Sequence, residues 1–315
     1  MGDGDDVIAV LACDGWGPAL ARVIAANAYP LPDGRAPVRV WMPAHCAQGT
    51  GLVAAEMALD EEAAGHPSCA HPPNVIACLG LDEALVDATY VVAMLPLDFT
   101  LAIAPHMRPY MSPYARLLMP PGPLSVEGSR LALGVDLCAR ALTRHDPCIL
   151  FAVGAPGELA ARRALDATLA CRDRRTLQRW ARFFRAPSLR LSLTHAVGLV
   201  EVGAALADVA ALGAGLCDGL GCGTNTKAAI LRQGVDEARR FVEHFVEGDP
   251  DQDEWLRLPV ISRAVAAAFG GAVGTAACRL AAAPGRPQRW AELGIAATGP
   301  ALDAGRAPAP GAGRG

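Results

Sequence analysis

The sequence predicts an α/β fold: an N-terminal doubly wound parallel sheet followed by an all-helical C-terminal domain. Three observations carry this. Apolar runs of strand length recur from residue 7 onward, segments with apolar residues at helical spacing separate them, and from about Ser188 only helical patterns remain. Strands that are apolar throughout need cover on both faces, which is the habit of parallel sheets with crossover helices. Right-handed crossovers then wind the sheet both ways from its first strand.

In order, residues 7–12 (Val-Ile-Ala-Val-Leu-Ala) form the first strand. A glycine-bearing turn leads into a helix over 16–28. Strands follow at 38–42, 74–78 and 88–95, with a helical segment at 81–86 between the last two, then 116–119 and 148–153. Helices are expected at 196–212, 225–247 and 253–268, with a Gly-rich break over 213–223. The resulting domains are 1–187, a Rossmann-like unit of the dinucleotide-binding type, 188–300, helical, and a Pro/Gly/Ala-rich tail over 301–315.

Composition narrows the function classes. The chain has 315 residues and a formal charge of −4, which predicts no polyanion-binding surface. Sixty-three residues are alanine, and 27 of the 28 basic residues are arginine, leaving Lys227 as the sole lysine. Chemistry that needs an ammonium group must use Lys227 or fail. No uninterrupted apolar run approaches the roughly 18 residues of a membrane span. The acidic start, Met1 to Asp6, carries neither a secretory nor a mitochondrial presequence pattern. An intracellular protein, cytoplasmic or mitochondrial, with its ten cysteines reduced, is expected.

The first strand–turn–helix is where a dinucleotide fold seats pyrophosphate, on glycines that let backbone N–H groups approach the phosphates. Here the turn reads Ala12-Cys13-Asp14-Gly15-Trp16-Gly17. Only the third glycine of the fingerprint, Gly17, is kept. Ala12 replaces the first, and Asp14 brings a negative charge to the second. Pro43-Ala44-His45 stands where an acidic residue for the ribose belongs.

A second cluster runs from Val200-Glu201-Val202-Gly203-Ala204-Ala205-Leu206-Ala207-Asp208 into Gly213-Ala214-Gly215-Leu216-Cys217-Asp218-Gly219-Leu220-Gly221 and Asn225-Thr226-Lys227-Ala228-Ala229. It resembles the helical-domain signature of eukaryotic-type NAD-dependent glycerol-3-phosphate dehydrogenase, roughly G-A-L-K-N-V-x-A-x-G-A-G-F-C-D-G-L-G-x-G-x-N-T-K-A-A. Gly15-Trp16-Gly17-Pro18-Ala19-Leu20-Ala21, His71-Pro72-Pro73-Asn74-Val75 and Phe269-Gly270-Gly271 match further family stretches in order. The resemblance covers about residues 7–300 and is faint between 100 and 190.

The resemblance implies a degenerate member. The family's general acid/base lysine falls on Ala207 and the asparagine after it on Asp208; its second essential lysine falls on Pro121. A family aspartate falls on Arg263 and a threonine on Ala267. The arginine and asparagine that grip substrate phosphate become Ala272 and Val273, and V-P-H-Q-F becomes Leu95-Pro96-Leu97-Asp98-Phe99. Gly15, Trp16, Gly17 and Phe99 remain as vestiges of a cofactor seat. Asp208, Asn225, Lys227, Gly270 and Gly271 remain from a substrate pocket. Ketone reduction needs a proton donor at the carbonyl, and alanine supplies none.

Two other features carry alternatives. His66, Cys69 and His71 could hold a metal, but the spacing lacks a fourth ligand, so a polar loop and no metal are expected. Nine arginines between 162 and 190, interleaved with Trp180, Phe183 and Phe184, read either as a solvated helix face or as a docking surface for an acidic partner or RNA. The function expected is a non-catalytic glycerol-3-phosphate dehydrogenase homologue, with NAD binding weak or lost. It would serve as a structural or interaction subunit in a homodimer or a larger assembly, such as a mitochondrial complex or a ribosome. The alternative is an active, divergent NAD-dependent enzyme reducing dihydroxyacetone phosphate.

Overall fold

A computed structural model describes residues 6–28, 30–31, 34–43, 72–128, 130–246 and 260–269. The main sheet has eight strands: β1 (Ile8–Ala12), β2 (Val38–Trp41), β3 (Val75–Ala77), β4 (Tyr90–Met94), β5 (Arg116–Met119), β6 (Cys148–Ala152), β7 (Leu165–Ala170) and β8 (Leu189–Thr194). Their spatial order is β8-β7-β6-β5-β4-β1-β2-β3. β1 lies between β2 and β4, in register Ile8↔Val38 on one side and Ile8↔Tyr90 on the other. The chain therefore reverses its winding direction at β1, and the crevice over the carboxyl ends of β1 and β4 is the binding position of such sheets.

The expected strands and their parallel pairing through β6 are present. Beyond β6 the expectation needs correcting. β7 pairs antiparallel with β6, and β8 pairs parallel with β7, so the sheet runs to Thr194, past the boundary set at 187. Alternation of Leu165, Ala167 and Leu169 with more polar residues marks β7, but a dense arginine background hid it.

Helices cover both faces: α1 (Trp16–Asn27), α2 (Leu81–Leu85), α3 (Leu97–Met107), α4 (Gly134–Leu142), α5 (Pro156–Ala160) and α6 (Arg174–Ala181). Side-chain alternation splits each strand between two cores. Ile8, Val10, Tyr90 and Val92 pack with Leu20, Ile24, Trp180 and Phe183. Ala9, Leu11, Val91 and Ala93 pack on the other face with α3 and the helical domain.

That domain is α7 (Val197–Gly219), α8 (Thr224–Phe245) and α9 (Val260–Phe269). The expected break at 213–223 is helix up to Gly219. Gly213 and Gly234 are instead close-approach points, where an added Cβ would meet Ile230 at 3.0 Å and Ala210 at 2.6 Å. Among the described residues α7 is the one helix long and apolar enough to cross a membrane, yet 67% of its most apolar window is buried inside the molecule. It is a core helix.

The arginine-rich stretch is not one helix face. It spans β7, α6 and part of β8, and its aromatic residues Trp180, Phe183 and Phe184 are buried. Arg182 turns inward to pair with Asp6 and to hydrogen-bond the Tyr90 hydroxyl. Arg162, Arg163, Arg174, Arg175, Arg185 and Arg190 are exposed. Of the described cysteines, Cys78, Cys138, Cys148, Cys171, Cys217 and Cys222 are free, whereas Cys13 is disulfide-bonded, which departs from the expectation of uniformly reduced thiols.

Candidate functional site

A cleft of about 870 Å³ opens over the carboxyl ends of β1, β4, β5 and β6. Its floor is the turn after β1. Gly17 enters α1 so close to the strand that a Cβ there would lie 2.0 Å from the Ala12 Cβ. The third fingerprint glycine thus does the packing work expected of it. The Asp14 carboxylate accepts a hydrogen bond from the Trp16 N–H at 3.0 Å, at the first turn of α1. An anion of the chain itself therefore lies on the helix N-terminus, where this fold offers N–H groups to pyrophosphate. Desolvation of the carboxyl raises the Asp14 pKa, and the N–H groups of Trp16 and Gly17 act in the opposite direction.

One wall is Leu95 to Asp98 at the start of α3; a second is Met119 to Leu124, with Pro121 on the cleft surface. The third is α7, contributing Ala204, Ala205, Leu206, Asp208 and Val209, with Arg263 of α9 beside it. Ala207 does not face the cleft: it is 2% exposed and packs in the core beneath.

Among the described residues, the charged ones lining the cleft are Asp14, Asp98, Asp208 and Arg263, with neither lysine nor histidine among them. Arg263 donates from Nε and Nη2 to the two Asp208 carboxylate oxygens at 3.2 and 3.3 Å. Its guanidinium also lies 5.4 Å from the centre of the Phe151 ring. A guanidinium stays charged across the physiological range, so it attracts anions but is a poor proton donor. This pair, and the Phe151 platform, went unseen in the sequence, where Arg263 registered only as a lost aspartate.

Glu201 was also missed as a site element. It is 0% exposed, three residues before the cleft-lining part of α7. Its carboxylate accepts N–H bonds from Gly122 (3.1 Å), Gly134 (2.9 Å) and Val135 (3.4 Å). It therefore ties α7 to the Pro120–Pro123 wall and to the N-terminus of α4. A Cβ at Gly134 would come within 2.7 Å of Glu201 Oε1, so glycine is what admits the carboxylate. A lone acid inside an apolar helix, Val200-Glu201-Val202, is the signal that could have found it.

Lys227 is not a pocket residue. Buried at 7% exposure, it donates from Nζ to Asp218 at 2.6 Å and to the Ala268 carbonyl at 3.1 Å, joining α7, α8 and α9. Asn225 is exposed at the start of α8, Phe99 is half-buried against the core, and Gly15 packs against Pro156; none lines the cleft. Trp16, Asp98, Pro121, Asp208 and Arg263 are the expected positions that the fold does bring together. The Ala267 side chain and Gly270, Gly271, Ala272, Val273, His66, Cys69 and His71 lie outside the described residues. Among the described residues no cluster of three metal-ligating side chains occurs.

Comparison with known proteins agrees with this architecture. The family description "NAD-dependent glycerol-3-phosphate dehydrogenase N-terminus" matches residues 7–174, and "NAD-dependent glycerol-3-phosphate dehydrogenase C-terminus" matches 197–271. The cytoplasmic glycerol-3-phosphate dehydrogenase (NAD+) of Oryctolagus cuniculus is 26% identical over 268 residues, spanning 84% of this chain and 75% of that protein. The GPDH structure of Dunaliella salina superposes with a TM-score of 0.81 at 23% identity, covering 92% of this chain and 56% of that one. The Plasmodium falciparum glycerol-3-phosphate dehydrogenase structure gives a TM-score of 0.77 at 20% identity, covering 92% and 80%. At such identities the superpositions speak for the fold.

Proposed function

The chain belongs to the NAD-dependent glycerol-3-phosphate dehydrogenase family, and from that membership we propose that it is a degenerate, non-catalytic homologue kept as a structural or interaction subunit inside the cell. One observation carries the proposal. The position of the family's proton-donating lysine is Ala207, and its Cβ packs in the core beside a cleft whose described lining residues include neither lysine nor histidine. Deleting a general acid typically costs on the order of 10²–10⁴ in rate.

Weak or absent NAD binding belongs to the same proposal. The cofactor's pyrophosphate needs the α1 N-terminus, and Asp14 already sits there, bonded to Trp16. These residues do not fit a dinucleotide. The exposed arginines of 162–190 are the proposed docking surface for an acidic protein partner.

The test is an assay of NADH oxidation with dihydroxyacetone phosphate, alongside a titration with NADH and native sizing. No turnover at ordinary enzyme concentrations, weak or no NADH binding, and migration above the mass of one chain are expected. Clear turnover would instead mark an active, divergent dehydrogenase.

A further inference from the structure

Cys148, the first residue of β6, and Cys171, just after β7, are both 0% exposed, and neither lines the cleft. We propose that they are a redox-modification site, joined in a reversible cross-strand disulfide by a small hydroperoxide.

The strand register supports this. β6 and β7 run antiparallel with Ile149 opposite Ala170 and Leu150 opposite Leu169. One further step places Cys148 opposite Cys171, and directly opposed residues project from the same face. Antiparallel pairs alternate between hydrogen-bonded and non-hydrogen-bonded. The Val153 N–H donates to the Asp166 carbonyl at 3.0 Å, which fixes 153/166 as a bonded pair. Alternating back along the ladder makes 149/170 bonded and 148/171 non-bonded. The Cys171 N–H agrees, turning away to the Thr194 carbonyl of β8 at 3.2 Å. Non-bonded pairs bring Cα atoms to about 4.5 Å, inside the roughly 4.4–6.8 Å that a disulfide spans. The sheet geometry needs little movement to close the bond.

Burial raises the Cys148 pKa and the neighbouring Cys171 thiol raises it further, whereas the Cys148 side chain lowers that of Cys171. The Cys171 S–H donates to the Asp146 carbonyl at 3.5 Å. Cys171, which lies just past the end of β7 and whose pKa is lowered, is the nucleophile in this scheme, and Cys148 the resolving thiol. With hydrogen peroxide as the oxidant, the Cys171 thiolate attacks one peroxide oxygen, the O–O bond breaks, and a sulfenic acid and hydroxide form; the hydroxide takes up the proton that the thiol released and leaves as one water. Cys148 then attacks the Cys171 sulfur, the S–O bond breaks, and the second water leaves with the Cys148 proton. Two thiols lose two electrons and the peroxide gains them. Access needs only fraying of a strand end, because Cys148 begins β6 and Cys171 follows the last residue of β7.

Cys222 is exposed and shares a thiol contact with Cys217, so the test uses the full chain carrying Cys222→Ser. The reduced protein is treated with hydrogen peroxide, alkylated, digested without reductant and mapped by mass spectrometry. The Cys148 and Cys171 peptides should appear joined in more than half of the molecules. Their mass should be two hydrogens below the sum of the reduced peptides, and dithiothreitol should separate them. A smaller joined fraction, recovery of both thiols alkylated, or a sulfinic Cys171 beside an alkylated Cys148 overturns the proposal. In Cys148→Ser the crosslink should vanish and dimedone labelling of Cys171 should rise severalfold. Unchanged labelling would remove Cys171 as the nucleophile, and the map of the Cys222→Ser chain decides the matter if that variant fails to fold.

Discussion

Arg263 grips both carboxylate oxygens of Asp208, at 3.2 and 3.3 Å, across the wall of the cleft. Each position differs in charge from the family pattern, and the substitutions answer one another: where an aspartate is expected an arginine stands, and its new partner is an acid where an asparagine is expected. Both side chains are 36% exposed, so solvent weakens the pair to under about 1 kcal/mol, with a similar increment from the Phe151 ring. Arg263→Ala should lower stability by about 1 kcal/mol in urea melts. Added salt should shrink the wild-type advantage, and a gap independent of salt would mean the ion pair contributes nothing.

Reinstating the family lysine should not reinstate activity. Ala207 is 2% exposed among apolar side chains, so Ala207→Lys forces an ammonium into the core or pushes α7 outward. The variant should lose more than about 2 kcal/mol of stability and show no NADH oxidation with dihydroxyacetone phosphate. A stable, active Ala207→Lys protein would show that the rest of the site had been preserved for catalysis.

The sheet through β6 was legible because its strands are continuous apolar runs, a pattern set by burial on both faces. β7 and β8 were not, since Asp166, Arg190 and their neighbours interrupt the apolar signal at the sheet's flank. That Ala207 and Pro121 stand where the family pattern has lysine was read from motif spacing alone. Lys227 and Glu201 could not be placed, because a motif records which residue type is kept, not the neighbour it serves. Lys227 bonds to Asp218 nine residues away, and Glu201 to Gly122, 79 residues away. Only tertiary structure supplies the second partner.

Asp14 makes a separable claim about the cofactor. Replacing it with glycine removes a carboxylate from the α1 N-terminus and frees the Trp16 N–H. Like charges a few ångströms apart cost on the order of 1 kcal/mol or more in a partly desolvated site. Asp14→Gly should therefore bind NADH at least about tenfold more tightly by calorimetry, and Asp14→Asn should gain part of that. Equal affinities across the three proteins would show that Asp14 is not what opposes the dinucleotide.

The contact of Gly17 with Ala12 gives a test of the strand–helix junction. A Cβ at 2.0 Å cannot be accommodated without moving α1, so Gly17→Ala should cost about 1–3 kcal/mol in thermal or urea unfolding. Adding Ala12→Gly removes the obstructing atom and should recover part of the loss. Additive losses in the double variant would place the strain elsewhere.

Glu201 makes stability depend on pH in a direction opposite to an ordinary ion-paired acid. Burial raises its pKa from 4.5 to about 7, although the N–H groups of Gly122, Gly134 and Val135 pull it down, and Asp136 adds to the rise. Between those two values the folded chain retains a proton that the unfolded chain has released. The contribution is therefore whole below the unfolded pKa and lost as pH rises through about 7. The size is on the order of 3 kcal/mol across the window. Glu201→Gln cannot ionise, so its unfolding free energy should fall less than that of the wild type between acid and neutral pH, whatever the amide costs at each pH by itself. Urea titrations of both proteins across this range decide it: parallel pH profiles would mean that Glu201 is ionised throughout, with the three N–H donors outweighing its burial.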